Sequence, residues 1–129
     1  MRTLVTVGMS FLAGAALGAA ALGSLHAQSR PGAYAVVDLS EITDESTYRQ
    51  QLIPKVTPAA LTPFGGQYVI RSENITAIDG TPPKRFVVIA FDNMEKAKAW
   101  DNSPGQKEVN AIRAKTTRSR SFFVDGNLQ

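Results

Sequence analysis

The amino-acid sequence predicts an α+β domain whose elements follow one another as βαββαβ, and three observations carry that expectation. Four stretches are dense in β-branched and aromatic residues: 33–39 (AYAVVDL), 67–71 (QYVIR), 85–91 (RFVVIAF) and 122–124 (FFV). Apolar residues at helical spacing fill the two gaps between Asp44 and Gly65 and between Asn93 and Arg113. The remaining gap, 72–84, is polar and rich in turn residues, so the second and third strands form a hairpin with a long connection.

Taken in order, 28–32 (QSRPG) is a short polar linker ahead of the first strand. Asp44 then serves as N-cap for a helix with Tyr48, Leu52, Val56 and Ala60 at every fourth position, on one face. Pro54 lies inside that helix, where a proline removes a hydrogen bond and costs ~3 kcal/mol unless the helix bends or restarts. A kink or break is therefore expected. Gly65-Gly66 supplies the left-handed closure of the segment, and the second strand starts at once. Asp79-Gly80 and Pro82-Pro83 mark turns in the long connection.

After the third strand, Asp92-Asn93 caps a helix carrying Met94, Ala97 and Trp100 at spacing three. Ser103-Pro104 restarts it, with proline at the first helical position and Gln106 placed to complete a capping box. Val109, Ile112 and Arg113 continue this second segment, and the fourth strand at 122–124 is bounded by Asp125-Gly126. The order is that of the ferredoxin-like fold, in which helices cover one face of an antiparallel sheet. Apolar residues occupy both parities of the strands, so the second face is expected to bury itself against another copy of the chain in a homodimer.

No side chain from Thr3 to Leu25 is charged, Arg2 precedes the run, and 11–22 reads FLAGAALGAAAL. Residues 1–27 accordingly read as an export signal, cut near Ala27 or after Gly23. The alternative is a retained N-terminal anchor facing the periplasm, since an uncharged run of this size could cross ~30 Å of hydrocarbon. Either way the domain, 33–126 with a tail at 127–129, is expected outside the cytoplasm, periplasmic or secreted. After signal cleavage no membrane contact is expected.

Composition narrows the function classes. With 43% hydrophobic and 19% charged residues the chain is globular, and 129 residues suit one core. The net charge of +3 comes from scattered basic residues apart from Arg113, Lys115, Arg118 and Arg120, with no dense basic stripe, so nucleic-acid binding is not expected. The lack of cysteine excludes disulfides and thiolate catalysis, and the one histidine, His26, lies in the signal. A metal would need oxygen ligands, and no dense carboxylate cluster offers them. No glycine-rich phosphate loop, dinucleotide fingerprint or zinc motif occurs, so no cofactor is expected.

Several pieces read together carry a resemblance. They are Thr43-Asp44 before a tyrosine-bearing helix, Phe64-Gly65-Gly66 leading to Tyr68-Val69-Ile70-Arg71, Asp79-Gly80, and Arg85-Phe86-Val87-Val88-Ile89. Trp100 with Asn102-Ser103-Pro104, Arg113, and Val124-Asp125-Gly126 complete the set. In order and spacing, over about 33–126, these resemble the family called domain of unknown function 1330. The resemblance implies a dimeric α+β barrel, two protomers packing their sheets face to face, and no established activity. Proteins of that architecture include monooxygenases, isomerases and haem-handling proteins. This chain departs from the family in having Asp101 after Trp100 and Gly105-Gln106 after Pro104, where the family has tyrosine and a Glu-Tyr pair. Two rings are thus missing from any pocket that those positions line.

Arg71, Arg85 and Arg113 are the main ligand-binding candidates, because planar guanidinium groups grip carboxylate or phosphate bidentately and stay charged. Arg71 and Arg85 end strands of one hairpin and could share a rim; they could equally pair with acids such as Glu73, Asp79 or Asp101. Trp100 could stack on a planar ligand or simply belong to the core. Tyr68, with Tyr34 and Tyr48, offers a hydroxyl as acid or hydrogen-bond donor. Asp38 and Asp101 are the candidate bases, Asp38 because it interrupts an apolar strand. Ser40, Ser103 and Ser121 lack a histidine partner. The functional expectation is a domain that binds or transforms a small, planar or anionic metabolite without metal. The alternative is a non-catalytic dimeric envelope module whose arginines form salt bridges only.

Overall fold

The computed structural model describes residues 30–127, which fall within the compact unit Pro31–Gln129 apart from the first of them. The expected export signal, the start of the linker and the last two tail residues lie outside the described residues. Among the described residues no helix is long and apolar enough to cross a membrane.

The fold is the α+β, ferredoxin-like arrangement that the sequence predicts. Four strands, β1 (Ala33–Ile42), β2 (Gln67–Ser72), β3 (Arg85–Phe91) and β4 (Thr117–Asp125), form one sheet in the order β2-β3-β1-β4. Every pairing is antiparallel. Side chains alternate between faces along a strand, so Ala33, Ala35, Val37 and Leu39 of β1 share one face with Val87, Ile89 and Phe91 of β3. That face is buried beneath the helices, in two apolar clusters centred on Phe91 with Trp100 and on Leu39 with Tyr48.

Two irregularities re-aim side chains. The register shifts between Leu39 and Glu41 against β4, and between Tyr68 and Ile70 against β3. At the second, Val69 is the extra residue, so Tyr68 opposes Ile89 while Arg71 opposes Val87. Tyr68 and Arg71 therefore point to the same, helix-covered face although three residues apart.

The first helical segment is more broken than a single kink. A turn of helix α1 (Glu45–Thr47), capped by the Asp44 carboxylate accepting from the Thr47 amide at 3.1 Å, runs into a π-helical stretch Tyr48–Leu52. A 3-10 turn Ile53–Lys55 contains Pro54, and Val56 then leaves helical geometry altogether. A second short helix α2 (Pro58–Leu61) and a 3-10 turn Thr62–Phe64 complete the segment. Gly65 closes it at φ 69°, the left-handed position that glycine takes without a Cβ clash. The spacing-four stripe survives only at Tyr48 and Leu52, which are buried; Ala60 is exposed.

Helices α3 (Met94–Asp101) and α4 (Pro104–Thr116) complete the layer. The expected capping box at Ser103 is half made. Ser103 Oγ accepts from the Gln106 amide at 3.4 Å, but the Gln106 side chain turns to Asn110 instead of reaching back. Strand β4 starts at Thr117, five residues before the predicted 122. Its first half, TRSRS, has no apolar signature and becomes a strand because β1 pairs with it, Leu39 opposite Ser119 and Asp38 opposite Arg120.

Among the described residues, no helix lies over the other face of the sheet. Val36 lies between Val88 and Phe122 across the ladders, with Ile70 and Val124 on the same side. Phe122, Ile70 and Val124 are 46%, 43% and 41% exposed, an apolar strip on an otherwise paired sheet.

Gly66 sits tightly against helix and sheet: a Cβ there would lie 2.8 Å from the Phe91 ring and 3.3 Å from Leu61 Cβ. Gly66→Ala is expected to lower stability by about 1–3 kcal/mol through overpacking, measured as a lower urea midpoint with an unchanged slope.

Candidate functional site

A cavity of about 50 Å³ opens between the helix-covered face of the sheet and the broken segment. Its floor is aliphatic, from Val37, Leu39, Val87 and Ile89, which is what the alternation of β1 and β3 delivers. The polar groups converge from five elements: Tyr48 from the π-helical stretch, Lys55 from the 3-10 turn, Tyr68 from β2, Arg85 from β3, and Gln106 and Arg113 from α4. Trp100 of α3 forms part of the wall and packs on Phe91, ring centroids 5.5 Å apart at a tilt of 39°.

Tyr48 is fully buried, and its hydroxyl has no hydrogen-bond partner among the described residues. Burial pushes its pKa above the ordinary phenol value, while the nearby Arg85 charge opposes the rise. The group is therefore a neutral hydroxyl with a free donor at physiological pH, and an unmet buried hydroxyl costs about 1–3 kcal/mol. The Arg49 guanidinium lies 5.2 Å from the centroid of the same ring.

Arg85 has a side chain only 14% exposed, and the facing Glu73 carboxylate is 3.7 Å away. That carboxylate is held more closely by Arg49, at 2.9 Å, and Arg49 also bonds Glu45 at 2.9 Å. The charge of Arg85 is thus shared with a carboxylate already committed elsewhere.

Arg113 is compensated at one remove. Its Nη2 donates to Asn110 Oδ1 at 2.6 Å, the same oxygen accepts from Gln106 Nε2 at 3.0 Å, and Asn110 Nδ2 donates to Asp101 Oδ1 at 3.0 Å. Burial draws the Arg113 pKa down from its ordinary value, and the Asp101 charge offsets part of that pull. A guanidinium remains charged regardless. The cavity is accordingly lined by two partly desolvated guanidinium groups, by Lys55 and by two tyrosines, Tyr48 and Tyr68, with no carboxylate among the described residues of its lining.

The other sequence candidates fall around this centre or away from it. Arg71 is outside the lining; its guanidinium stacks 4.5 Å above the Tyr68 ring and donates to the Val56 carbonyl at 3.0 Å, tying β2 to the broken segment. Burial pushes the half-buried Tyr68 hydroxyl up, against the Arg71 charge. Asp101 reaches Arg113 only through Asn110. Asp38 lies on the opposite face of the sheet, its carboxylate bonded to Arg120 at 2.9 and 3.0 Å, so it has no access to the cavity. Sequence reasoning passed over the special position of Tyr48 and missed Gln106. Tyr48 could have been singled out as the first residue of an apolar stripe that a proline interrupts, but no sequence signal marks an unpartnered hydroxyl. Among the described residues no group of three or more His, Asp or Glu side chains is placed to hold a metal ion.

Tyr48→Phe is expected to raise the stability of the ligand-free protein by about 1–3 kcal/mol, since it removes a buried donor without a partner. Because the folded hydroxyl ionises at higher pH than the unfolded one, it adds no pH dependence below the ordinary phenol range and lowers stability further as pH rises from there to the folded pKa. Urea unfolding across alkaline pH should therefore show a shallower decline in Tyr48→Phe than in the wild type.

Comparison with solved structures finds the same fold at low identity. A protein of unknown function from Rhodopseudomonas palustris superposes with TM-score 0.55 at 12% identity, over 84% of this chain and 92% of that one. A provisionally assigned antibiotic biosynthesis monooxygenase from Nitrosomonas europaea gives TM-score 0.53 at 15% identity, over 73% of this chain and 97% of that one. SnoaB, a cofactor-independent oxygenase from Streptomyces nogalater, gives 0.49 at 11% identity, over 75% and 94%. At these identities the likeness is one of fold. No curated protein matches the sequence. A family described as "Domain of unknown function (DUF1330)" matches residues 32–127.

Proposed function

We propose that this chain, which belongs to the domain of unknown function 1330 family, binds a small anionic metabolite in the cavity between its sheet and its helices. The observation that carries the reading is the buried Tyr48 hydroxyl, left without a partner among the described residues in a cavity where Arg85 and Arg113 supply positive charge. An anion accepting from these groups would meet the unmet donor and relieve two desolvated cations together. With no carboxylate in the described lining, the ligand arrives already ionised, and the site holds negative charge instead of creating it by proton removal. If a reaction follows, it is one that proceeds from a stabilised anion.

The working form is a homodimer in this reading. The strip of Ile70, Val36, Phe122 and Val124 is the natural contact, because an uncovered apolar sheet face is stabilised by burial against its own copy. The uncharged run from Thr3 to Leu25 supports export, which places the dimer in the periplasm or beyond.

At constant ionic strength, formate, acetate and benzoate are expected to raise the melting temperature of the purified protein by several degrees at saturation. Arg85→Ala and Arg113→Ala should abolish the shift. Equal shifts in wild type and Arg85→Ala would overturn the site and favour a purely structural module. Sedimentation should give the dimer mass for the wild type and the monomer mass for Phe122→Asp, which places a charge in the strip.

A further inference from the structure

The anion reading accounts for the inner end of the cavity and leaves its mouth unexplained. At about 50 Å³ the inner chamber has room for a head group of a few heavy atoms. Four of its lining residues, Lys55, Ala60, Trp100 and Gln106, also line an adjoining outer groove of about 420 Å³. The outer groove adds apolar surface from Phe64 and Val109. Trp100 thus lines both compartments; the two arginines and the Tyr48 hydroxyl belong to the inner one alone, and Ser103 and Glu108 to the outer one.

Resting on the anion-binding reading, we infer that the natural ligand is a monocarboxylate bearing an apolar tail. The carboxylate sits in the inner chamber on Tyr48, Arg85 and Arg113, and the tail lies along Phe64, Trp100 and Val109 in the outer groove. Charge and size choose the head group. Glu73 offsets part of Arg85, Asp101 part of Arg113, and Glu108 pairs with Lys55, leaving an excess that suits one negative charge, and a planar head matches guanidinium donors bidentately. Lys55 Nζ and Glu108 Oε1, both on the groove, meet at 3.1 Å and join the 3-10 turn to α4 beside the tail. An exposed pair of this kind contributes little to stability, so it can part when a ligand enters.

The test uses acetate, butyrate, hexanoate and octanoate, with the fluorescence of Trp100, the single tryptophan, as the readout at constant ionic strength. Affinity is expected to tighten about two- to fourfold per added methylene until the groove is filled. Gly105, another groove residue, has no neighbour within 4 Å of the place that a Cβ would occupy, so Gly105→Phe should put a ring in the groove without disturbing the fold. In that variant, and in Ala60→Phe, whose ring would crowd both compartments, the length dependence should vanish, while Gly105→Phe should still bind acetate as the wild type does; circular dichroism checks that both fold. Equal affinity for all four acids would overturn the tail assignment while leaving the anion site standing. Length dependence that persists in both blocked variants would overturn the outer groove as the tail site. Octyl phosphate binding more tightly than octanoate would overturn the carboxylate head. Failure of every acid to bind would overturn the anion reading itself, and this inference with it.

Discussion

Strand β1 is hydrogen-bonded on both sides, antiparallel to β3 and to β4, and that register decides which strand residues floor the candidate site. Its odd-numbered residues Ala33 to Leu39 are fixed on the helix-covered face, which makes the cavity floor aliphatic and sends Asp38 to the other side. A slip of one residue would exchange the two faces. Asp38 would then enter the cavity as a carboxylate beside Arg85, and the positive character of the site would be lost. The pair between Asp38 and Arg120 on the uncovered face opposes that exchange, because these residues face each other only in the observed alignment.

The break around Pro54 is the second constraint. A regular helix from Asp44 to Gly65 would lie flat on the sheet and fill the space above Leu39 and Val87 with its own side chains. The observed succession of α, π and 3-10 turns instead keeps Tyr48 and Leu52 buried and lifts the chain at Val56. The freed Val56 carbonyl is taken up by Arg71, whose guanidinium also covers Tyr68. The local cost of irregular backbone is thereby offset by a contact that reaches across to β2, and the space left over is the cavity.

Electrostatics in the cavity follow from who already holds each carboxylate. Glu73 bonds Arg49 more closely than Arg85, and Asp101 meets Arg113 only through the Asn110 amide. Each cation is satisfied enough to be tolerated in a partly buried position, and neither is neutralised. In a low-dielectric setting this incomplete compensation is a stronger attraction for an anion than the same charges would exert at the surface.

Sequence patterning by itself determined the order βαββαβ, the hairpin between 67 and 91, the caps at Asp44, Asn93 and Ser103, and the break at Pro54, because each rests on residues close in the chain. It also picked out Tyr68, Arg85, Trp100 and Arg113, which line the cavity, since their chemistry is a property of residue type. Tertiary structure alone decided the rest. TRSRS at 117–121 has no strand signature and is one only because β1 supplies its ladder. The extra residue at Val69 turns Arg71 onto the face of Tyr68, and a bulge depends on the partner strand, which local spacing does not encode. The Tyr48 hydroxyl is unpartnered among the described residues only because of what separate elements bring, and fail to bring, within its reach. Short-range periodicity fixes which segments can be helix or strand; long-range register and packing fix which side chains share a cavity.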